Sequence, residues 1–230
     1  MGVTNRLLSR ATAIILAALL AACPLLGCAP SEEPQAEDEG VEPVEIVRSD
    51  EAEIESTPRD QWRKGVMPYL YQTDPAWATT EYVGGTFDKT GCGPTALSMV
   101  YIYLTGNTDL DPVQMGQFST ERGYAIDGEG TSWSLMSEGA AELGLTGTMV
   151  SLTPDALKEA LDAGHPLICI MNPGTFTEIG HFIVIERLGA EDKAVVHDPK
   201  SVGRSMRTWD LELICSEAAG AWKFSVTGEG

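Results

Sequence analysis

The sequence is poor in several residue types that would point to particular kinds of site. Its 230 residues include only three histidines and five cysteines. No two of these residues stand at the close spacing typical of zinc ligands, and no oxygen-rich loop typical of a calcium or magnesium site is present. We therefore expect neither a metal ion nor a cofactor. Internal repeats are also lacking, so residues after the N-terminal region are expected to form one domain.

Basic residues are scarce as well. The chain carries 15 Lys and Arg against 34 Asp and Glu, which gives a formal net charge of −19. Such a surface is repelled by phosphate backbones and by anionic lipid surfaces. This charge argues against nucleic acid as a partner, whereas a neutral or cationic peptide remains suitable. We expect the protein to act as a monomer.

Long apolar runs are missing except near the N-terminus. Arg6 and Arg10 precede an apolar stretch at 11–22 that is short for a membrane span, and Leu25-Leu26-Gly27-Cys28 follows. This arrangement resembles a bacterial lipoprotein signal. The resemblance implies cleavage after Gly27 and a diacylglyceryl group on Cys28, which would anchor the mature chain to the membrane. The alternative is an ordinary secretory signal, which also predicts export.

The stretch between residues 29 and 60 contains 12 acidic and 2 basic residues and four prolines. It has too few apolar side chains to offset the entropy lost on ordering, so it predicts a solvated tether. We accordingly predict three parts: a signal at 1–27, the lipidated cysteine with its acidic tether at 28–61, and a folded domain at 62–230. The domain is expected at the bacterial cell surface, outside the cytoplasm.

One cysteine has the surroundings of a nucleophile. Gly91-Cys92-Gly93-Pro94-Thr95 places Cys92 at the N-terminus of a predicted helix, because Pro94 suits the first helical position and Gly106 ends the apolar helical pattern. The unpaired N–H groups and the dipole of a helix N-terminus lower a thiol pKa. We interpret the two glycines as room for a substrate backbone. The alternative is that Cys92 is a small buried core residue.

A base for this thiol must come from the three histidines. His181 opens an apolar, β-branched run at 181–187, and a second strand is predicted at 193–198, so the pair predicts a hairpin. His165 lies between a helix stop and a strand and is interpreted as a loop residue. The alternative for His181 is a structural histidine at the end of a strand.

The parity of the hairpin selects the partner of His181. If the loop has an even number of residues, Asp198 lies opposite Ile183 and shares a face with His181, close enough for a hydrogen bond. His197 then points to the other face, where we expect solvent or a helix. A loop with an odd number of residues would favour His197 instead. We favour Asp198.

These residues resemble the papain-like cysteine peptidases, in particular the bacteriocin-processing, double-glycine leader peptidases of cysteine-peptidase family thirty-nine and their stand-alone relatives. The resemblance covers Met67 to Val226 and rests on four stretches: Tyr69-Leu70-Tyr71-Gln72-Thr73-Asp74-Pro75-Ala76-Trp77, Gly91-Cys92-Gly93-Pro94-Thr95-Ala96-Leu97-Ser98-Met99, Gly180-His181-Phe182-Ile183-Val184 and His197-Asp198-Pro199. It implies that Cys92 is the nucleophile and His181 the general base and acid. Asp198 would orient the imidazole, and the Gln72 amide would donate to the oxyanion.

The remaining patterns predict helices first and strands afterwards. Capping residues and apolar spacing predict helices that begin at Asp111, run from Ser132 to Gly144, run from Thr153 to Gly164 and lie near Trp209 to Ser216, with further strands at Leu167–Met171 and Ala221–Val226. This layout is α+β, and it fits a papain-like fold in which the nucleophile helix packs on an antiparallel sheet. Cys169 and Cys215 are expected to be buried and inert, although a disulfide between them is an alternative.

The function predicted from these features is an exported, membrane-anchored thiol hydrolase that cleaves a peptide or amide bond through an acyl-enzyme. A cell-wall amidase or transpeptidase would use the same Cys-His-Asp site on a peptidoglycan stem peptide. A third hypothesis is an extracellular binding module that keeps the fold without turnover.

Overall fold

A computed structural model describes residues 55–228. The predicted signal, Cys28 and residues 28–54 of the predicted tether lie outside the described residues. The α-helices are α1 Phe87–Thr90, α2 Cys92–Thr105, α3 Pro112–Glu121, α4 Glu138–Glu142, α5 Pro154–Asp162, α6 Val202–Ser205 and α7 Leu211–Glu217, with 3-10 turns at Arg59–Gln61, Trp133–Met136 and Ala190–Asp192. Within this part of the chain, no helix has the length and apolar character needed to cross a membrane.

A six-stranded antiparallel sheet forms the centre of the domain. The strands are β1 Glu81–Tyr82, β2 Gly85–Thr86, β3 Ala125–Ile126, β4 Gly130–Thr131, β5 Leu145–Met149, β6 Leu167–Met171, β7 His181–Leu188, β8 Ala194–His197, β9 Thr208–Trp209 and β10 Ala218–Val226. The large sheet has the order β5-β10-β6-β7-β8-β9, whereas β1-β2 and β3-β4 are small separate hairpins. The sheet is antiparallel throughout, as predicted for an α+β domain.

Both faces of the central strands are buried, which explains why β6 reads as a continuous apolar run. Alternate residues along β6 and β7 enter two different clusters. Those on the α2 face are Ile168, Ile170, Phe182 and Val184. Those on the opposite face, under α5 and α7, are Leu167, Cys169, Met171, Ile183 and Ile185. The helix that begins at Cys92 is therefore held against the strand that begins at His181.

Several elements of the structure differ from the prediction. The helix predicted from Ser132 to Gly144 is a 3-10 turn followed by the short α4, with Ser137 at the break (φ −115°, ψ −70°). Strand β5 was not predicted, because its apolar and polar residues do not alternate clearly. Trp209 lies in a strand, and the predicted late helix begins two residues later, at Leu211.

The β7-β8 hairpin has the predicted register near His181, but it reaches that register by a different route. Pairs nearest the turn are Leu188 with Ala194 and Arg187 with Val195, and pairs beyond it are Ile185 with Val196 and Val184 with His197. The turn is therefore centred on Glu191 and contains an odd number of residues. The prediction of a loop with an even number of residues is wrong. A β-bulge at Glu186 supplies one extra residue and so restores the predicted register. If the pairing is extended by one residue beyond Val184 and His197, Asp198 lies opposite Ile183.

Candidate active site

Cys92 occupies the first position of α2, directly after the N-cap residue Gly91. The helix ends at Gly106, whose positive φ of 74° belongs to the left-handed region that favours glycine. The end at Gly106 agrees with the prediction, whereas the helix begins two residues before Pro94, which was predicted at the first helical position. The thiol is half-buried and free, and it lies where α2 leaves backbone N–H groups without helical acceptors.

The two glycines beside Cys92 serve internal packing, which corrects their interpretation as room for substrate. A Cβ on Gly91 would lie 2.3 Å from Cδ1 of Phe87, and a Cβ on Gly93 would lie 2.7 Å from the side chain of Thr131. Both glycines are buried. Their missing side chains let α1 and the β3-β4 hairpin approach the start of α2.

His181 and Asp198 are in direct contact. Nε2 of His181 lies 2.8 Å from Oδ1 of Asp198, and the two side chains are 3% and 0% exposed. Because Nε2 is engaged with the carboxylate, Nδ1 is the ring nitrogen left for Cys92. The imidazole also lies close enough to the Cys92 side chain for each group to shift the pKa of the other. The structure thus brings Cys92, His181 and Asp198 together in one chain of contacts.

The Asp198 carboxylate has two further partners that the sequence did not reveal. Arg204 donates from Nε to Oδ2, and the backbone N–H of Lys200 donates to Oδ1 at 2.8 Å. The backbone N–H of Asp198 itself donates to the Ser205 hydroxyl at 2.9 Å. Arg204 reaches the carboxylate because Ser201 caps the short helix α6, and this polar cap after Pro199 was the only local signal for it.

The three groups change one another's protonation. Burial by itself raises the pKa of Cys92, but hydrogen bonding and charge from His181, together with the backbone N–H groups of Phe182 and Gly93, lower it overall. Burial opposes the charged form of His181, yet its bonds to Asp198 and Cys92 raise its pKa to about 9. Burial likewise opposes ionisation of Asp198, whereas the contacts with His181 and Arg204 lower its pKa. These directions favour a thiolate beside an imidazolium.

Gln72 lies between the segments that carry the other three residues. Its backbone N–H donates to the carbonyl of Pro199 at 2.7 Å. Its side-chain Nε2 donates to the carbonyl of Asp88 at 2.7 Å and approaches that of Phe87 at 3.4 Å. The side chain is buried, and Oε1 has no hydrogen-bond partner. Gln72 therefore connects the residue after Asp198 with the short helix that precedes Cys92.

His197 points to the face opposite Asp198, but it is not near solvent. It is 2% exposed, stacks on Tyr69 with ring centroids 4.2 Å apart, and lies 2.9 Å from Oε2 of Glu186 through Nε2. Of the two expected surroundings, solvent or a helix, solvent is wrong, because Tyr69 and the bulge residue Glu186 cover the ring. His165 lies in a loop, as predicted, with Nδ1 3.2 Å from the carbonyl of Phe224.

The other two described cysteines are not joined by a disulfide. Cys169 is fully buried, and burial followed by the proximity of Cys215 raises its pKa, so it stays a thiol. Cys215 is only half-buried, which corrects the expectation that both are buried. Within residues 55–228, no three His, Cys, Asp or Glu side chains gather closely enough to hold a metal ion.

Comparison with known proteins finds a family match and a similar solved structure. The model of the Peptidase C39-like family matches residues 66–227. A crystal structure of the peptidase domain of Streptococcus ComA, described as a bi-functional ABC transporter involved in a quorum sensing pathway, is similar to this chain with a TM-score of 0.45 and 18% identity. That match covers 60% of this chain and 93% of the other. Comparison with curated proteins finds none that matches.

Proposed function

The chain belongs to the Peptidase C39-like family, which makes it a cysteine peptidase-like hydrolase, and from this premise we propose that it cleaves a peptide bond through an acyl-enzyme on Cys92. The observation that carries the proposal is the chain of contacts from Cys92 to the buried His181 and Asp198, in which the pKa of the thiol is lowered. A thiolate is the form of cysteine that attacks a carbonyl carbon. A buried structural cysteine would instead have a raised pKa, as Cys169 has.

The proposed reaction begins with attack of the Cys92 thiolate on the scissile carbonyl, which forms a C–S bond and moves an electron pair onto the oxygen. The tetrahedral intermediate collapses as the C–N bond breaks, and the His181 imidazolium gives its proton to the leaving amine. His181, now neutral, takes a proton from water, and the resulting hydroxide equivalent attacks the thioester. Release of the carboxylic acid returns the sulfur as thiolate and the imidazole as imidazolium.

Asp198 and Gln72 have supporting roles in this proposal. Asp198 accepts from Nε2 of His181 and so turns Nδ1 toward the sulfur, while Arg204 and the Lys200 N–H keep the carboxylate in place. For the oxyanion, the donors are the Cys92 backbone N–H and one hydrogen of the Gln72 amide. The weak 3.4 Å contact with Phe87 is the one this hydrogen would leave.

We also propose that the protein is exported and held to the membrane by lipid on Cys28. The signal-like sequence ahead of Cys28 supports this, together with the acidic stretch that follows. The substrate would then be an extracellular peptide. A peptidoglycan stem peptide is one such substrate, because it presents amide bonds outside the cytoplasm.

Alkylation with iodoacetamide tests the central claim. At pH 6 we expect stoichiometric labelling of Cys92 in the wild type and slow labelling in His181→Ala, because the variant lacks the imidazolium that stabilises the thiolate. Cys215→Ser is the matched control and should label like the wild type. A Cys92 thiol that reacts only above about pH 8.5, the range of an unperturbed cysteine, would contradict a catalytic role and favour a binding module.

Product analysis then defines the substrate. The purified protein is incubated with a peptide library and, separately, with purified cell wall, with Cys92→Ser as the blank. Cleavage of library peptides supports a peptidase, whereas release of stem peptides from wall alone indicates an amidase. Turnover of neither substrate by a protein that labels rapidly at pH 6 would count against the proposed hydrolysis.

A further inference from the structure

The first described residues bind the folded domain as a short strap, which we define as Glu55–Pro58. Thr57 donates its backbone N–H to the carbonyl of Tyr69 at 2.7 Å, and its hydroxyl accepts the Tyr69 N–H at 2.9 Å. The Ser56 hydroxyl accepts the backbone N–H of Tyr71 at 3.0 Å. The Ser56 N–H donates to Oδ2 of Asp74 at 2.9 Å. Ser56 and Thr57 therefore satisfy backbone groups on alternate residues of one extended segment.

This strap belongs to the part of the chain that was predicted as tether, and it precedes the family match, which begins at residue 66. The carbonyl of Thr57 is also engaged, because Nε1 of Trp62 donates to it at 2.7 Å. Trp62 is buried in the core cluster on the α2 face. The strap is thus fixed at one end to the hydrophobic core and along its length to the segment Tyr69–Asp74.

Gln72 lies in the middle of that segment. Its backbone N–H donates to the Pro199 carbonyl, and its side-chain amide donates to two carbonyls of α1. Its Oε1 has no partner. With so few bonds of its own, the position of Gln72 depends on the residues on either side, and the strap holds three of these: Tyr69, Tyr71 and Asp74.

From these contacts we propose that Ser56 and Thr57 are positioning residues that act through Gln72 to place its amide for the oxyanion. The inference rests on the proposed function, because it concerns the donor of that reaction. The Asp198 carboxylate has partners outside the strap and the segment that the strap holds, because Arg204 and the Lys200 N–H both donate to it. Loss of the strap should impair oxyanion stabilisation and leave the thiolate intact.

Two chemical probes separate these effects in the full-length chain. Iodoacetamide alkylates the thiolate by displacement of iodide at a saturated carbon, so no oxyanion forms. Acylation by p-nitrophenyl acetate joins sulfur to the carbonyl carbon through a tetrahedral oxyanion and then expels p-nitrophenolate, which is measured by its absorbance. The ratio of the two rates therefore reports oxyanion stabilisation alone.

The variants are the double substitution Ser56→Ala with Thr57→Val, the conservative Thr57→Ser, and Gln72→Ala. We expect Gln72→Ala to lower acylation by about 10²-fold and the double variant by about tenfold, with alkylation at pH 6 changed less than about twofold in both. Thr57→Ser keeps the hydroxyl and should retain wild-type acylation. Thr153→Val removes a hydroxyl that accepts a backbone N–H from Ala156, remote in sequence from Gln72, and serves as the matched control.

Each result decides between the claims. If Gln72→Ala slows acylation but the double variant does not, the strap has no positioning role. A double variant that loses alkylation and acylation together also overturns the inference, because the strap would then support the whole site. If Gln72→Ala itself leaves acylation unchanged, the oxyanion role of Gln72 in the proposed function is wrong. If Cys92→Ser releases p-nitrophenolate in a burst as large and as fast as that of the wild type, Cys92 is not the nucleophile.

Discussion

Replacement of Asp198 by Asn tests how the buried carboxylate controls the protonation of His181. The substitution keeps the shape of the side chain but removes its negative charge, 2.8 Å from Nε2 of the imidazole. The pKa of His181 should then fall from about 9, because burial is no longer opposed by its strongest partner. With less imidazolium present, the pKa of Cys92 should rise.

The expected change in the pKa of His181 follows from the structure. The pKa of His181 lies at about 9 against an ordinary 6.5, which at about 1.36 kcal/mol for each pH unit is roughly 3 kcal/mol in favour of imidazolium. Asp198 and Cys92 share this stabilisation. Since a neighbouring opposite charge moves a pKa by about 1 to 3 units, loss of the carboxylate should lower the pKa of His181 by at least about one. Arg204, left without its carboxylate, would lower it further.

The assay is the pH dependence of two rates. In the wild type, alkylation should increase as pH rises through the lowered pKa of Cys92, and acyl transfer that needs the imidazolium should decrease as pH rises through about 9. In Asp198→Asn, the midpoint of the alkylation profile should shift to higher pH. The alkaline decrease in acyl transfer should shift to lower pH. The pH range in which thiolate and imidazolium coexist therefore becomes narrower.

A control separates charge from packing. The double variant Asp198→Asn with Arg204→Gln also removes the cation that the single variant leaves unpaired. Its alkaline decrease in acyl transfer should therefore shift part of the way back toward the wild-type pH. If the single variant keeps both wild-type limbs while remaining folded by circular dichroism, Asp198 does not set the protonation of His181, and the reasoning is refuted.

Three other outcomes are expected. Gly93→Ala would place a Cβ 2.7 Å from Thr131 and should cost about 1–3 kcal/mol in urea unfolding; a stability equal to wild type would contradict this packing role. Because the folded-state pKa of Asp198 lies below its unfolded value, its contribution to stability is present above about pH 4 and is lost as pH falls through the folded pKa. The unfolding free energy of Asp198→Asn should therefore depend less on pH in acid than that of the wild type, and parallel curves would argue otherwise. Cys28→Ser should move the protein from the membrane fraction to the soluble exported fraction; unchanged membrane recovery would exclude a lipid anchor on Cys28.

The helix that carries Cys92 could be predicted because its signals are local. Pro94 and Gly106 act within one turn of the helix ends, and the structure has α2 at Cys92–Thr105. The sequence also predicted strand β6 from its apolar run and the start of β7 at His181, since the period of side-chain burial is set by the backbone itself. The family resemblance added Gln72, which its own chemistry would not have singled out.

The pairing of His181 with Asp198 was predicted correctly, but for an incomplete reason. The turn around Glu191 has odd parity, and only the bulge at Glu186 returns Asp198 to the face of His181. A bulge depends on how two strands fit together across their full length, and no residue in the turn signals it. The interpretation of Gly91 and Gly93 failed for a similar reason, because their close neighbours Phe87 and Thr131 belong to other elements.

The sequence by itself therefore determined the helix and strands that carry Cys92 and His181 and the chemical types of the candidate site, since helix ends, strand periodicity and chemical type are properties of neighbouring residues. Only the tertiary structure decided how those groups are held: Arg204 on Asp198, Pro199 and Asp88 on Gln72, and the strap at Ser56 and Thr57. These contacts join segments far apart in the chain. Their distances follow from packing and register, which no local pattern specifies.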